Sequence, residues 1–364
     1  MDGLSRPRRR ASMLAGSAGI GVAVCLSILA YVAAVSVAAD ALPARLSDQE
    51  FWKMVSDMSE PNGFFRSDNL LSNEASFQYV IPELLRTTRA GRIYMGVGPE
   101  QNFTYIAAMK PAMAFIVDVR RGNLDLQLAY KALFELSADR VEFVSRLFSK
   151  KRPDGLPPDS RVEDIFASFS KVETSQDLYA ANLKAIDDRL MVTHGFALSP
   201  ADLEGIEYAY HAFSRFGPEI QYSSTRNFGS SMQPTFAELM TATDERGVSR
   251  SFLASEENYA VVRDLEAKNL LVPVVGNFAG PKAIRAVGQY LKEKGAVVSA
   301  FYLSNVEMYL RIDGIWDNFC GNVAALPLDA TSTFIRSVRN FGRTRALGLA
   351  SELGPMASEV DACH

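Results

Sequence analysis

The segment Ile93–Asn123, IYMGVGPEQNFTYIAAMKPAMAFIVDVRRGN, constrains the fold of this chain most. It reads as a strand over Arg92–Val97, a Gly-x-Gly turn at Gly96 and Gly98, and a helix that opens at Pro99 and stops at Lys110-Pro111. A second, almost continuously apolar strand follows over Met113–Val119, as expected of a strand covered on both faces, and carries Asp118 near its end. Glycines at a strand end permit a tight turn and let a ligand approach the backbone closely. The helix start aims unpaired amides at the same place. Asp118 lies 20 residues beyond Gly98, where an acid can grip ribose hydroxyls. The pattern therefore points to a nucleotide- or nucleoside-type site; an ordinary tight turn is the alternative reading. Glu100, on the first helical turn beside the glycines, is placed to touch the same ligand, although acids also simply suit helix starts.

The rest of the chain extends the alternation. Ser47-Asp48-Gln49-Glu50 is a capping box opening a helix, and Asn62–Asn73 is a polar loop. Leu124–Leu136 has helical spacing, with Leu126, Ala129, Leu133 and Leu136 on one face. Lys150–Asp164 is a proline-rich loop. The pattern is then mostly helical to about Met232, with a helix start at Ser199-Pro200-Ala201-Asp202. Strand–helix order resumes with a short strand at Ser251–Ala254 and a helix over Glu256–Lys268. A strand over Leu270–Val275 ends in Gly276-Asn277-Phe278; a helix over Pro281–Lys294 and a strand over Ala296–Leu303 follow. This order predicts an α/β, Rossmann-like fold: a mostly parallel sheet with helices on both faces and a largely helical insertion at about 139–243. The domain is expected over 42–340, with 341–364 as a C-terminal tail.

The first 41 residues read as a targeting segment. Arg6, Arg8, Arg9 and Arg10 precede an uncharged apolar run over Ala11–Ala39, and Ala39-Asp40-Ala41 resembles a cleavage site. The run is also long enough to serve as a membrane anchor if uncut. Either way the charge order sends the domain across the cytoplasmic membrane, to the periplasm or cell envelope or to a membrane-anchored position. Beyond that segment no membrane contact is expected. A formal net charge of −4 offers no basic field, so nucleic acid is not an expected partner. Three histidines, one of them terminal, make a metal site improbable. Cys320 and Cys363 form either one bridge or two free thiols.

At the Gly-x-Gly turn the chain resembles the class I S-adenosylmethionine-dependent methyltransferase fold. Ile93–Gly98 looks like its first motif and Asp118 like the acid of its second strand. On that resemblance Ser255-Glu256 follows the third strand, and Gly276-Asn277-Phe278 follows the fourth, which places Asn277 near a transferred group. The resemblance implies S-adenosylmethionine as cofactor. The chain departs from it at Tyr94, where an acid is usual, and at Glu100, which replaces a third glycine. SDNLLSNE (Ser67–Glu74), GVGPEQNFTYIA (Gly96–Ala107), YKALFELSADR (Tyr130–Arg140), NFAGPKAIR (Asn277–Arg285) and AFYLSNVEMYL (Ala300–Leu310) resemble a second group more closely. It is a bacterial family of uncharacterised exported proteins, that of a leptospiral lipoprotein with a methyltransferase-like fold.

Other polar residues carry two readings each. Ser304, Asn305 and Glu307 follow a strand, at the edge where open α/β sheets bind ligands, or form a turn and helix cap. Arg120 and Arg121 are either a solvated surface pair or supply one side chain that pairs with Asp118 or meets a phosphate or carboxylate. His194 is a general base or a structural histidine. No Gly-x-Ser-x-Gly elbow and no phosphate-binding Gly-x-x-x-x-Gly-Lys-Ser/Thr loop occurs. Two functions remain: a methyltransferase-like protein with a nucleoside-type cleft at Gly96, Gly98, Glu100, Asp118 and Asn277, or a non-catalytic envelope protein that binds another small molecule or a partner through the insertion.

Overall fold

A computed structural model of the chain describes residues 41–224, 233–339 and 349–361. The sheet strands are β1 (Ile93–Gly96), β2 (Met113–Asp118), β3 (Leu271–Val275), β4 (Val298–Ser304), β5 (Thr333–Arg339) and β6 (Leu349–Pro355). The helices up to the insertion are α1 (Asp48–Met58), α2 (Ile81–Thr87), α3 (Gln101–Met109) and α4 (Arg121–Leu136). The insertion holds α5 (Arg140–Leu147), α6 (Val162–Phe169), α7 (Gln176–Asp187), α8 (Pro200–Phe216) and α9 (Phe236–Thr241). The second half holds α10 (Glu256–Ala267), α11 (Ala283–Glu293), α12 (Val306–Ile312), α13 (Trp316–Ala324) and α14 (Met356–Asp361).

The six strands form one sheet in the order β3-β2-β1-β4-β5-β6. The first five are parallel; β6 runs antiparallel to β5. This is a mostly parallel, Rossmann-like α/β sheet. Every residue of β1, β2 and β3 is buried, as unbroken apolar runs such as MAFIVD require when helices cover both faces. From β1 the chain builds outward through β2 and β3, then returns to the other side of β1 for β4. The carboxyl ends of β1 and β4 therefore diverge at a topological switch point, where open α/β sheets leave a crevice.

Local signals set the element ends. Ser47 and Glu50 close the capping box of α1, and Ser199 and Asp202 that of α8. Lys110 takes φ +49° before Pro111 and ends α3. The insertion packs tightly on α4: a Cβ on Gly205 of α8 would fall 2.2 Å from Asp125 Oδ2. Only a residue without a side chain lets the two helices approach that closely.

Two expectations are corrected. Ser251–Ala254 is a turn, not a strand. Its carbonyls are consumed by a side chain rather than a ladder: Arg140 Nη1 donates to Leu253 O at 2.7 Å and to Ala254 O at 3.0 Å. The strand at Leu271–Val275 is thus the third of the sheet, and Val298–Ser304 the fourth. Residues 341–364 are also not simply a tail, because β6 pairs with β5 over seven residues and α14 follows it. The alternation in LASELGP is too weak and too polar to announce a strand, as is common on a half-exposed edge.

Cys320 is disulfide-bonded; Cys25 and Cys363 lie outside the described residues. Among the described residues no helix is long and apolar enough to cross a membrane, and no group of residues is arranged to hold a metal ion. The expected targeting segment lies outside the described residues apart from Ala41.

Candidate functional site

The two glycines of the turn have different jobs. A Cβ on Gly96 would sit 1.9 Å from Asn102 Oδ1, so this glycine exists to let Asn102 reach the strand. Asn102 then pins the turn from beneath. Its Nδ2 donates to Val97 O at 2.9 Å and to Pro99 O at 2.7 Å, and its Oδ1 accepts from Tyr94 Oη at 2.8 Å. Gln127 Nε2 adds a bond to Gly98 O at 3.0 Å. Gly98 has φ +76°, and a Cβ there would meet nothing within 4 Å. That glycine supplies the left-handed turn and presents bare backbone to open space. Asn102→Ala strips the partner from a buried tyrosine hydroxyl and from the turn carbonyls. A stability loss of about 2–3 kcal/mol is expected in urea denaturation; a loss below half a kcal/mol would disprove the pinning role.

The open space beside Gly98 is a cleft along the carboxyl ends of β1, β2, β3 and β4, with a cavity volume of about 170 Å³. Gly98 and Val97 line it from the turn, Asp118 and Arg120 from β2, Gly276 and Asn277 from β3, and Ser304 and Asn305 from β4. Of the expected site residues, Gly98, Asp118 and Asn277 thus meet at one cavity. Gly96 and Glu100 do not line it. Glu100 is fully buried, and its carboxylate accepts from the Ser72 amide at 3.2 Å. Burial, reinforced by the nearby charge of Glu74, pushes its pKa up to about 8.

Asp118 is 4% exposed and held by the residue after the next. Its Oδ1 accepts from the Arg120 amide at 2.9 Å, and the Arg120 guanidinium lies 3.3 Å from both carboxylate oxygens. Asn277, which the methyltransferase resemblance would put after a fourth strand, instead follows the third strand and so lies on the β3 side of the cleft. Ser304-Asn305 occupies the position after β4. Ser304 takes φ +49° at a register shift in the sheet, an uncommon conformation for a residue with a Cβ.

A strap missed by the sequence reading roofs the carboxyl edge. Residues 59–73 cross from β3 to β1 and are laced at each strand. Glu60 N donates to Val275 O at 2.7 Å, Gly63 N to Val119 O at 2.8 Å, and Ser72 N to Glu100. The Glu60 carboxylate accepts from the amides of Asn277, Lys282 and Ala283 at 3.1, 2.8 and 2.9 Å, and so fills the N-terminus of α11 with the protein's own anion. Phe64, Phe65, Asn69, Ser72 and Glu74 of this strap and its continuation line the cleft. Phe65 stacks edge-on against Tyr309 of α12 at 5.3 Å, bringing the strap to the opposite bank. The motif Ser67–Glu74 was the available sign; nothing in its polar composition showed where it would fold.

The remaining polar candidates have structural partners. His194 Nδ1 lies 2.7 Å from Asp48 Oδ1 and Nε2 lies 2.6 Å from Glu135 Oε2, tying α1 to α4. Arg121 forms a bidentate pair with Asp202 at 2.7 and 3.0 Å. Glu307 receives Arg336 at 2.6 Å.

No curated protein matches the chain. A family model described as a domain of unknown function, DUF7790, matches residues 70–348, which take in the whole sheet through β5, the insertion and most of the cleft. The chain belongs to the DUF7790 family.

Proposed function

We propose that the protein is an exported, ligand-binding α/β protein whose cleft takes a nucleoside-type small molecule, with S-adenosylmethionine the first candidate. The observation that carries this reading is the convergence of Gly98, Asp118 and the end of β4 on one cavity at the switch point. Gly98 offers unobstructed backbone, and the Asp118 carboxylate stands one strand over, the pairing that suits a sugar. A polyphosphate suits the site poorly, because the α11 N-terminus is already occupied by Glu60 and the Arg120 guanidinium is engaged by Asp118 and Asp68 O. Gly98 and Asp118 are the residues that would hold the nucleoside of S-adenosylmethionine; bound there, that molecule would supply a methyl group. Ser304 and Asn305, rather than Asn277, then lie nearest the acceptor. Export rests on the arginine-led apolar segment before Ala41.

Isothermal calorimetry of the purified protein with S-adenosylmethionine and with its demethylated product tests the reading. Measurable binding is expected for at least one, and Asp118→Ala should weaken it about tenfold or more, by removing a charge-assisted pair of hydrogen bonds. Flat heats with both compounds would remove the S-adenosylmethionine assignment.

A further inference from the structure

Among the described residues, a buried carboxylate that borders the cleft, Glu74, has no cationic partner. Glu74 lines the cleft and is 1% exposed. Its Oε1 accepts from Tyr302 Oη and Ser304 Oγ, each at 2.7 Å, and its Oε2 accepts from Gln101 Nε2 at 2.9 Å. All three donors are neutral. Among the described residues no lysine, arginine or histidine forms an ion pair with Glu74. Buried carboxylates are normally paired with a cation, because three neutral hydrogen bonds replace the hydration shell only in part. Two carboxylate oxygens offer about four acceptor sites, so about one remains open after three bonds.

The rest of the lining has the same bias. The other ionisable side chains bordering the cavity, tyrosines aside, are Asp118, Asp313 and Arg120. Arg120 is committed to Asp118, and Asp313 is exposed to solvent, so among the described residues that border the cavity no cation remains for Glu74. Asn69 adds a buried acceptor, Oδ1, that has no hydrogen-bond partner. Tyr302 and Phe65 contribute aromatic surface, which also favours a cation; the ring of Tyr309 already has Arg66 over it at 5.9 Å. An acceptor-rich, aromatic, net-negative cavity repels phosphate and attracts a donor-rich cation.

Building on the nucleoside-type reading of the cleft, we propose that its ligand bears a cationic group, an ammonium or sulfonium, that is held by the buried Glu74 carboxylate. Glu74 then sets ligand charge, while Gly98 and Asp118 hold the sugar. The carboxylate follows directly on the strap, ahead of the Rossmann-like core, and does not come from β1, where Tyr94 is spent on Asn102.

Three probes of the same nucleoside differing only in charge test this at neutral pH: the cationic 5′-amino-5′-deoxyadenosine, neutral adenosine, and anionic adenosine 5′-monophosphate. Calorimetry should rank them in that order, with the amine about tenfold or more tighter than adenosine. Glu74→Gln should bring the amine down to the level of adenosine while leaving adenosine itself nearly unchanged, which also shows that the variant is folded. Equal affinities for amine and adenosine, tighter binding of the monophosphate, or an amine preference that survives Glu74→Gln would each overturn the charge assignment while leaving the nucleoside reading in place. Binding by none of the three removes the nucleoside reading, and this inference with it. The comparison among probes on the unaltered protein decides the question even if Glu74→Gln does not fold.

Discussion

Arg140→Met is expected to destabilise the fold by about 3–5 kcal/mol, the range for removing one partner from a buried charged network. Arg140 is 1% exposed. Its guanidinium serves five acceptors: Leu253 O, Ala254 O, Pro158 O, Ser160 O and the Glu256 carboxylate, the last at 3.0 Å. These belong to three separate stretches: the insertion loop, the turn at 251–254 and the start of α10. Methionine keeps much of the volume and abandons every one of these carbonyls in a site that water does not reach. Glu256 is about a third exposed, so its side of the network is easily rehydrated. Glu256→Gln should therefore lose only about 1 kcal/mol. Urea denaturation of the two variants separates the contributions. Similar losses for both would mean that the ion pair, not the anchoring of carbonyls, is the important part.

Arg140 also explains what the sequence could and could not reveal. The β1–turn–α3–β2 unit was legible because each part has a local cause: apolar runs for buried strands, glycine for φ +76° at Gly98, and Pro111 after α3. The cleft-lining positions Gly98 and Asp118 followed from spacing alone. The strand expected at Ser251–Ala254 failed because a distant arginine captured its carbonyls, which no local pattern encodes. That one error renumbered the strands and moved the position after the fourth from Asn277 to Ser304-Asn305. Gly96 and Glu100 were misplaced for a similar reason. Their sequence neighbours suggested a ligand, but Asn102 fills the space against Gly96, and Ser72 of the strap claims Glu100. The strap was the least legible part, because residues 59–73 have no period and find their place only through bonds to strands that lie far away in sequence.

The strap joins stability to function. It supplies Glu60 to the α11 N-terminus, Gly63 to the close crossing over β2 and Ser72 to Glu100, and it leads directly into Glu74 at the cleft. A Cβ at Gly63 would fall 2.4 Å from Val119 Cγ2, so any other residue at this crossing has to push the Val119 side chain aside. The cleft is lined by this strap on one side and by the ends of the strands on the other. On the proposed function, a ligand that binds the folded cleft and not the unfolded chain stabilises the strap with the rest of the fold by mass action.

Glu100 makes the stability of the fold sensitive to pH, and the sign follows from where the proton resides. In the unfolded chain its carboxyl has the ordinary value of 4.5; in the fold, burial raises it to about 8. Below the lower value both states are protonated, and the group adds nothing to the pH dependence. Between the two the unfolded chain has lost the proton while the fold retains it, so stability falls as pH rises, by up to about 1.4 kcal/mol per unit. Above the upper value both states are ionised and the fall ends. The ceiling for this one group is therefore about 4–5 kcal/mol across the window. Glu266, also buried and also raised to about 8, steepens the same slope, so the informative quantity is a difference between proteins. Glu100→Gln imitates the protonated carboxyl and cannot ionise. Its stability should match the unaltered protein near the ordinary carboxyl range and exceed it by a few kcal/mol above the raised value. Denaturation curves recorded at intervals across this window give the test; two parallel profiles would mean that Glu100 is ionised in the fold and that the strap rests on a charge.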